Sequence, residues 1–108
     1  MNVTNFELDV IQRSKETPVL VDFWAAWCAP CRILGPTLEK VEADAQGAWV
    51  LAKVDTETFP DIAMEYGVRG IPSCKLFIDG QVVDEFVGAY PESMVREFMN
   101  SALSRATS

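Results

Sequence analysis

Two cysteines three positions apart, Cys28 and Cys31 in the run Trp27-Cys28-Ala29-Pro30-Cys31, are the residues best suited to covalent chemistry. On the first turn of a helix such a pair puts its sulfurs on neighbouring positions, where they can close a small disulfide ring. The free backbone N–H groups and positive dipole end of that helix favour thiolate over thiol. Cys28, nearer the helix end and expected to be the more open to solvent, is therefore the candidate nucleophile. The competing use of a close cysteine pair is half of a metal site. A closed zinc site takes four N or S ligands, and with three Cys and no His in the chain that reading is set aside. The lack of His also removes Ser-His-Asp and Cys-His hydrolysis. Proton transfer then falls to carboxylates, lysine or thiols.

Asp22 is the candidate for that work. It interrupts the apolar run Val19-Leu20-Val21-Asp22-Phe23-Trp24, and a carboxylate so placed is desolvated and titrates above its usual range. A buried acid beside a dithiol can take the proton that Cys31 must lose when it attacks a mixed disulfide. Lys53, on a strand expected beside the first, is its candidate charge partner and opposes the upward shift. The alternative is an Asp22 facing outward at a strand end, since Asp is seldom buried. Cys74 reads as a buried small hydrophobe rather than a reactive thiol. From pattern alone Pro72 marks only a strand boundary, because about 5–6% of X-Pro bonds in folded proteins are cis. Trp27, directly before the dithiol, is expected to be partly exposed as a docking surface.

These residues need elements to hold them. Thr4 and Glu7 form a capping-box signal, and Phe6, Val10 and Ile11 predict a helix from about Asn5 to Lys15, ended by Thr17-Pro18. Val19 to Trp24 reads as a buried strand. Leu34, Leu38, Val41 and Ala45 predict a second helix opening near the cysteines, kinked at Pro36. Trp49 to Val54 reads as a strand, and the strand-helix-strand order implies a right-handed crossover and a parallel pair. A short third helix begins at Pro60 and stops at Gly67. Ser73–Ile78 and Gln81–Val87 flank Asp79-Gly80, a type I′ hairpin signal, so the last two strands are antiparallel. Pro91 opens a final helix with an apolar stripe of Met94, Val95, Phe98, Met99, Ala102 and Leu103, and the tail from Ser104 is expected to fray. The class is α/β.

The chain has 108 residues, 49% of them hydrophobic and 23% charged, the balance of an ordinary globular domain rather than a disordered segment. With no repeat or linker in that length, residues 1–108 are expected to form a single domain. A net charge of −7 disfavours phosphate backbones and anionic lipid surfaces, so neither nucleic acid nor membrane is an expected partner. No apolar stretch approaches the roughly 20 residues that span a bilayer, and Met1-Asn2-Val3-Thr4 lacks a signal-peptide pattern, so a cytoplasmic location is expected.

Taken in order, Pro18-Val19-Leu20-Val21-Asp22-Phe23-Trp24-Ala25, Trp27-Cys28-Ala29-Pro30-Cys31, Lys53-Val54-Asp55, Gly67-Val68-Arg69-Gly70-Ile71-Pro72-Ser73 and Phe86-Val87-Gly88-Ala89 resemble the thioredoxin family over nearly the whole chain. The family's Cys-X-X-Cys site is itself the standard example of a thiol with lowered pKa. The resemblance implies a thioredoxin fold, with a central mixed sheet of four to five strands flanked by helices. It also implies a protein disulfide reductase that needs no cofactor and serves cell redox homeostasis and electron transport. Cys28 and Cys31 would be its redox-active disulfide, Asp22 a buried catalytic acid with Lys53 beside it, and Pro72 a cis proline next to the sulfurs. Trp27, Ala29, Pro30, Gly70, Ile71, Val87, Gly88 and Ala89 would line a groove for substrate polypeptide. The implied partners are a flavin-dependent thioredoxin reductase as electron donor and disulfide-containing client proteins, with the chain acting as a monomer. Ala29 stands where the family usually has glycine and Ser73 where it has threonine, and neither change removes a reacting group. Only Met1 to Val3 precede the first helix, so the first strand is expected to be short or missing. Asp79 to Ser93 also resembles the thioredoxin domain of chaperone-type proteins fused to helical repeats, although this chain carries no such repeats. The rival function is accordingly a chaperone-like polypeptide-binding module with an incidental or regulatory dithiol.

Overall fold

A computed structural model describes residues 1–106. Four strands form one sheet: β1 (Val19–Trp24), β2 (Val50–Asp55), β3 (Ser73–Ile78) and β4 (Gln81–Val87). Their spatial order is β2-β1-β3-β4, with β1 parallel to β2 and the other two pairs antiparallel. Three α-helices flank it: α1 (Ala29–Ala45), α2 (Pro60–Glu65) and α3 (Glu92–Ala106). The parallel pair follows from the β1-α1-β2 crossover. The β3–β4 pair follows from the tight turn at Asp79 and Gly80, whose φ values of 57° and 81° suit a type I′ turn.

Side chains alternate between the faces of a strand, and the core divides accordingly. Val19, Val21 and Phe23 of β1 join Val54 and Phe77 under the N-terminal segment and α2. Leu20 joins Leu51, Leu76 and Phe86 under α1 and α3, where it meets Leu34, Leu38, Val95 and Met99. Position 22 shares the parity of Leu20, so Asp22 is carried to the α1 side. The same parity brings Lys53 of β2 and Cys74 of β3 to that side. The register then sets Asp22 opposite both Lys53 and Cys74.

The N-terminal segment departs from the expected regular α-helix. Residues Glu7–Gln12 wind as a π-helix and Arg13–Lys15 as a 3₁₀ turn. The predicted capping box of Thr4 and Glu7 does not form, because Glu7 is engaged by the side-chain amide of Gln12 at 2.7 Å. Asn5 caps the turn instead, its Oδ1 accepting from the Leu8 N–H, while Asp9 Oδ2 accepts from the N–H groups of Thr4 and Asn5. The first strand is reduced to a parallel bridge between Asn2 and Lys53, extended by bonds from Val3 N to Lys53 O and from Lys53 N to Met1 O. At the other end α3 continues through Ser104 to Ala106, so fraying does not begin at Ser104. The rest of the predicted tail lies outside the described residues.

Candidate active site

Cys28 sits where β1 gives way to α1, with extended backbone (φ −89°, ψ 107°), and takes the N-cap position. Ala29 and Pro30 follow in the first turn, where the missing N–H of proline costs nothing. The turn into the helix is held by the Cys28 N–H on Ala25 O at 3.1 Å and the Arg32 guanidinium on Ala26 O at 2.7 Å. The Cys31 N–H points back at Cys28 Sγ, 3.2 Å away, the contact that a capping oxygen would make. When Cys28 is reduced, that N–H and the helix end both favour the thiolate.

The structure describes the oxidised form, with Cys28 and Cys31 joined as a disulfide and their Cα atoms 5.3 Å apart. Both residues are nearly buried, at 4% and 5% exposure. Solvent access therefore does not separate them as the sequence suggested, because Ala25, Trp24 and Ile71 pack around the pair. They differ in what they face. Cys28 Sγ lies 3.8 Å from the Ile71 carbonyl oxygen, next to the Ile71–Pro72 peptide bond, which is cis. Cys31 lines a cavity of about 230 Å³ together with Asp22, Lys53, Gly35 and Glu39.

Asp22 is fully buried, which removes the outward-facing alternative. Its Oδ1 lies 4.0 Å from the Cys74 thiol, and its Oδ2 has no hydrogen-bond partner among the described residues. Desolvation lifts the carboxyl from an ordinary 3.8 to about 6, with the charge of Lys53 pulling the other way. The Cys74 thiol is pushed well above its ordinary range, first by burial and then by Asp22. That leaves it a thiol at neutral pH.

The remaining predicted residues lie on the turn into α1, in the cis-proline loop and at the end of β4. Trp27 is 68% exposed, and its indole N–H donates to Glu57 Oε1 at 2.7 Å. Ala29 and Pro30 are exposed beside it. On the other side, the Gly88 N–H bonds Pro72 O at 2.9 Å and Val87 pairs with Ser73, which ties Val87-Gly88-Ala89 to the cis-proline loop. Gly88 has φ 102°, a conformation that side chains seldom adopt, and Gly70 lies against Val87, where an added Cβ would stand 3.7 Å from its side chain. Sequence reasoning missed Glu57, Glu39 and the placement of Cys74 against Asp22. Only Glu39 left a trace, eight residues after Cys31 and so on the same helix row.

Comparisons with known proteins agree with this geometry. The thioredoxin family profile matches residues 1–101. The chain is 45% identical over 96 residues to thioredoxin C-2 of Corynebacterium nephridii, covering 89% of this chain and 87% of that protein. It is 38% identical over 100 residues to the thioredoxin of Porphyra purpurea, covering 93% and 92%. Against the mitochondrial thioredoxin of Bos taurus it is 47% identical over 90 residues, or 83% of this chain and 54% of that protein. A mixed sheet with a disulfide capping the helix after its first parallel strand defines a class, the dithiol-disulfide oxidoreductases. Within that class the chain belongs to the thioredoxin family and is a disulfide reductase of the thioredoxin type.

Proposed function

We propose that this chain reduces protein disulfides with unequal, fixed roles for its two cysteines. The Cys28 thiolate attacks one sulfur of the client disulfide, forming a mixed disulfide and releasing the other client sulfur as a thiolate. Cys31 then gives its proton to Asp22 and attacks Cys28 Sγ, which closes the Cys28–Cys31 disulfide and releases the second client thiolate. Two electrons pass to the client. The observation that carries this reading is the shared cavity: Cys31 lines it, and so does a buried carboxylate with an unpaired oxygen. The cavity is roomy enough for a water to relay the proton.

Lys53 acts on Asp22 through its charge, and Pro72 acts through the backbone of its loop beside Cys28. Trp27, Ala29, Pro30, Gly70, Ile71, Val87, Gly88 and Ala89 bind client polypeptide. The support is the exposure of Trp27, at 68%, and Val87, at 58%, and the packing of Ile71 against the dithiol. A thioredoxin reductase returns the electrons, and the chain works as a single-domain monomer in the cytoplasm, within cellular electron transport and redox homeostasis. No helix among the described residues is long and apolar enough to cross a membrane. Relatives of mitochondrial name make the organelle the other location to test by fractionation.

Insulin reduction with dithiothreitol tests the activity, and turbidity must appear faster than in the blank and depend on Cys28. No acceleration would return the chain to the polypeptide-binding alternative. A glutathione titration of the dithiol then fixes the direction of flux, since a couple is reductant or oxidant only relative to its compartment, thioredoxins being themselves reference couples.

A further inference from the structure

Cys31, Gly35 and Glu39 recur every fourth residue of α1 and so form one row along the helix. The row runs from the disulfide along the cavity that Asp22 and Lys53 line from the sheet. Cys31 and Gly35 are buried, while the Glu39 side chain is 60% exposed. Lys53 stands beside Asp22 in the parallel register, yet among the described residues its ion pair is with Glu39, Nζ to Oε1 at 3.7 Å. The ammonium also lies 5.5 Å from the ring centroid of Trp24. Gly35 keeps the helix side of the ammonium open, since a Cβ there would stand 3.5 Å from Nζ, and any longer side chain would reach into its place. Asp22 meanwhile has an oxygen with no hydrogen-bond partner among the described residues.

We propose that Glu39 is a positioning residue for the exchange reaction: its carboxylate holds the Lys53 ammonium at the mouth of the cavity, so that Asp22 stays unpaired and free to take the proton of Cys31. The proposal rests on the acceptor reading of Asp22 given above. Two carboxylates share this cavity with the ammonium, and solvation decides between them; Asp55, two residues on along β2, lines the neighbouring cavity with Lys53 and is unchanged in the test below. At Glu39 the ammonium keeps part of its water, whereas pairing with the fully buried Asp22 strips both ions. The flexible stem of Lys53 permits either position. With Glu39 neutralised, Asp22 is the remaining anion on the cavity wall. Lys53 then turns inward and holds Asp22 ionised, which makes it a weaker base.

The test is the titration of the Asp22 carboxyl, followed by NMR of its side-chain carbon in oxidised wild type, Glu39→Gln, Lys53→Met and the double variant. The other groups facing Asp22 are held constant in this series. Cys31 is locked in the disulfide, Cys74 on β3 is unchanged, and Arg32 is bonded to Ala26 O. Glu39→Gln should lower the Asp22 midpoint by about 1 pH unit, the low end of what an opposite charge at contact range does to a carboxyl. In the Lys53→Met background the same substitution should leave the midpoint in place. In stopped-flow Trp fluorescence, Glu39→Gln should slow the resolving step at neutral pH by roughly threefold and move its acid limb to lower pH, as expected for a base weakened by that amount. An Asp22 midpoint unmoved by Glu39→Gln, or moved as much with Met at position 53, would overturn the proposal. Asp22→Asn separates the two levels. If it leaves the pH profile of the resolving step unchanged, the acceptor reading falls and takes the kinetic part of the proposal with it. If it flattens the profile while Glu39→Gln leaves the Asp22 midpoint in place, the proposal alone fails.

Discussion

Replacing Asp22 by Asn should make the protein more stable at neutral and alkaline pH, and by an amount that depends on pH. Burial lifts the carboxyl from an ordinary 3.8 to about 6. At about 1.36 kcal/mol per pH unit, holding the ionised form in the folded state costs about 3 kcal/mol. The sign follows from proton binding. Between the two values the folded state keeps a proton that the unfolded chain has lost, so stability falls as pH rises through that window and levels off above about 6. Asn keeps the shape and does not titrate, so whatever its uncharged amide contributes is the same at every pH. The stability difference between variant and wild type should therefore grow by about 2.5 kcal/mol from pH 4 to pH 8, most of the full effect. Urea unfolding of the oxidised proteins across that range measures it without interference from Cys28 and Cys31. For a domain of this size, the gain at pH 8 corresponds to a rise in Tm of roughly 10 °C or more. A difference that does not change with pH would mean that the carboxylate is not desolvated. A difference that shrinks as pH rises would mean that Lys53 pairs with Asp22 in solution, and the electrostatic argument for the site would be wrong.

Cys31→Ser should accumulate covalent mixed disulfides with a client, and mass spectrometry should find the adduct on Cys28; adducts mainly on Cys74 would reverse the assignment. Cys74, buried and held as a thiol, should resist iodoacetamide in the folded protein at pH 8 and react only as fast as the sheet opens. Rapid labelling would mean that β3 is loosely held. Leu76, fully buried on β3 against α1 and α3, should cost about 2–5 kcal/mol when cut to Ala, read from the urea midpoint at unchanged m. A loss under about 1 kcal/mol, well below that range, would mean that the core there collapses around the cavity.

Much of this protein was legible in local pattern. The apolar run around Asp22, the dithiol before an apolar helical row, and Asp79-Gly80 between two β-rich runs are signals with a period or a fixed spacing. The elements they predict stand within a residue or two of the observed ones. The burial of Asp22 was legible in part, because a run with apolar residues at both parities reads as a strand covered on both faces, and the structure places Asp22 fully inside. The N-terminal winding was not, since Thr4, Asn5, Glu7 and Asp9 offer several caps and only the bonds made with Gln12 and Leu8 select among them. The burial of Cys28 was not legible, since part of its cover comes from Ile71, distant in the chain. The pairing of Lys53 with Glu39 rather than Asp22 was also out of reach. Sequence places Lys53 beside Asp22 through strand register, but which carboxylate takes its ammonium depends on how much water each retains. That is set by α1 packing over the sheet with Gly35 at the contact, and no spacing along the chain carries it.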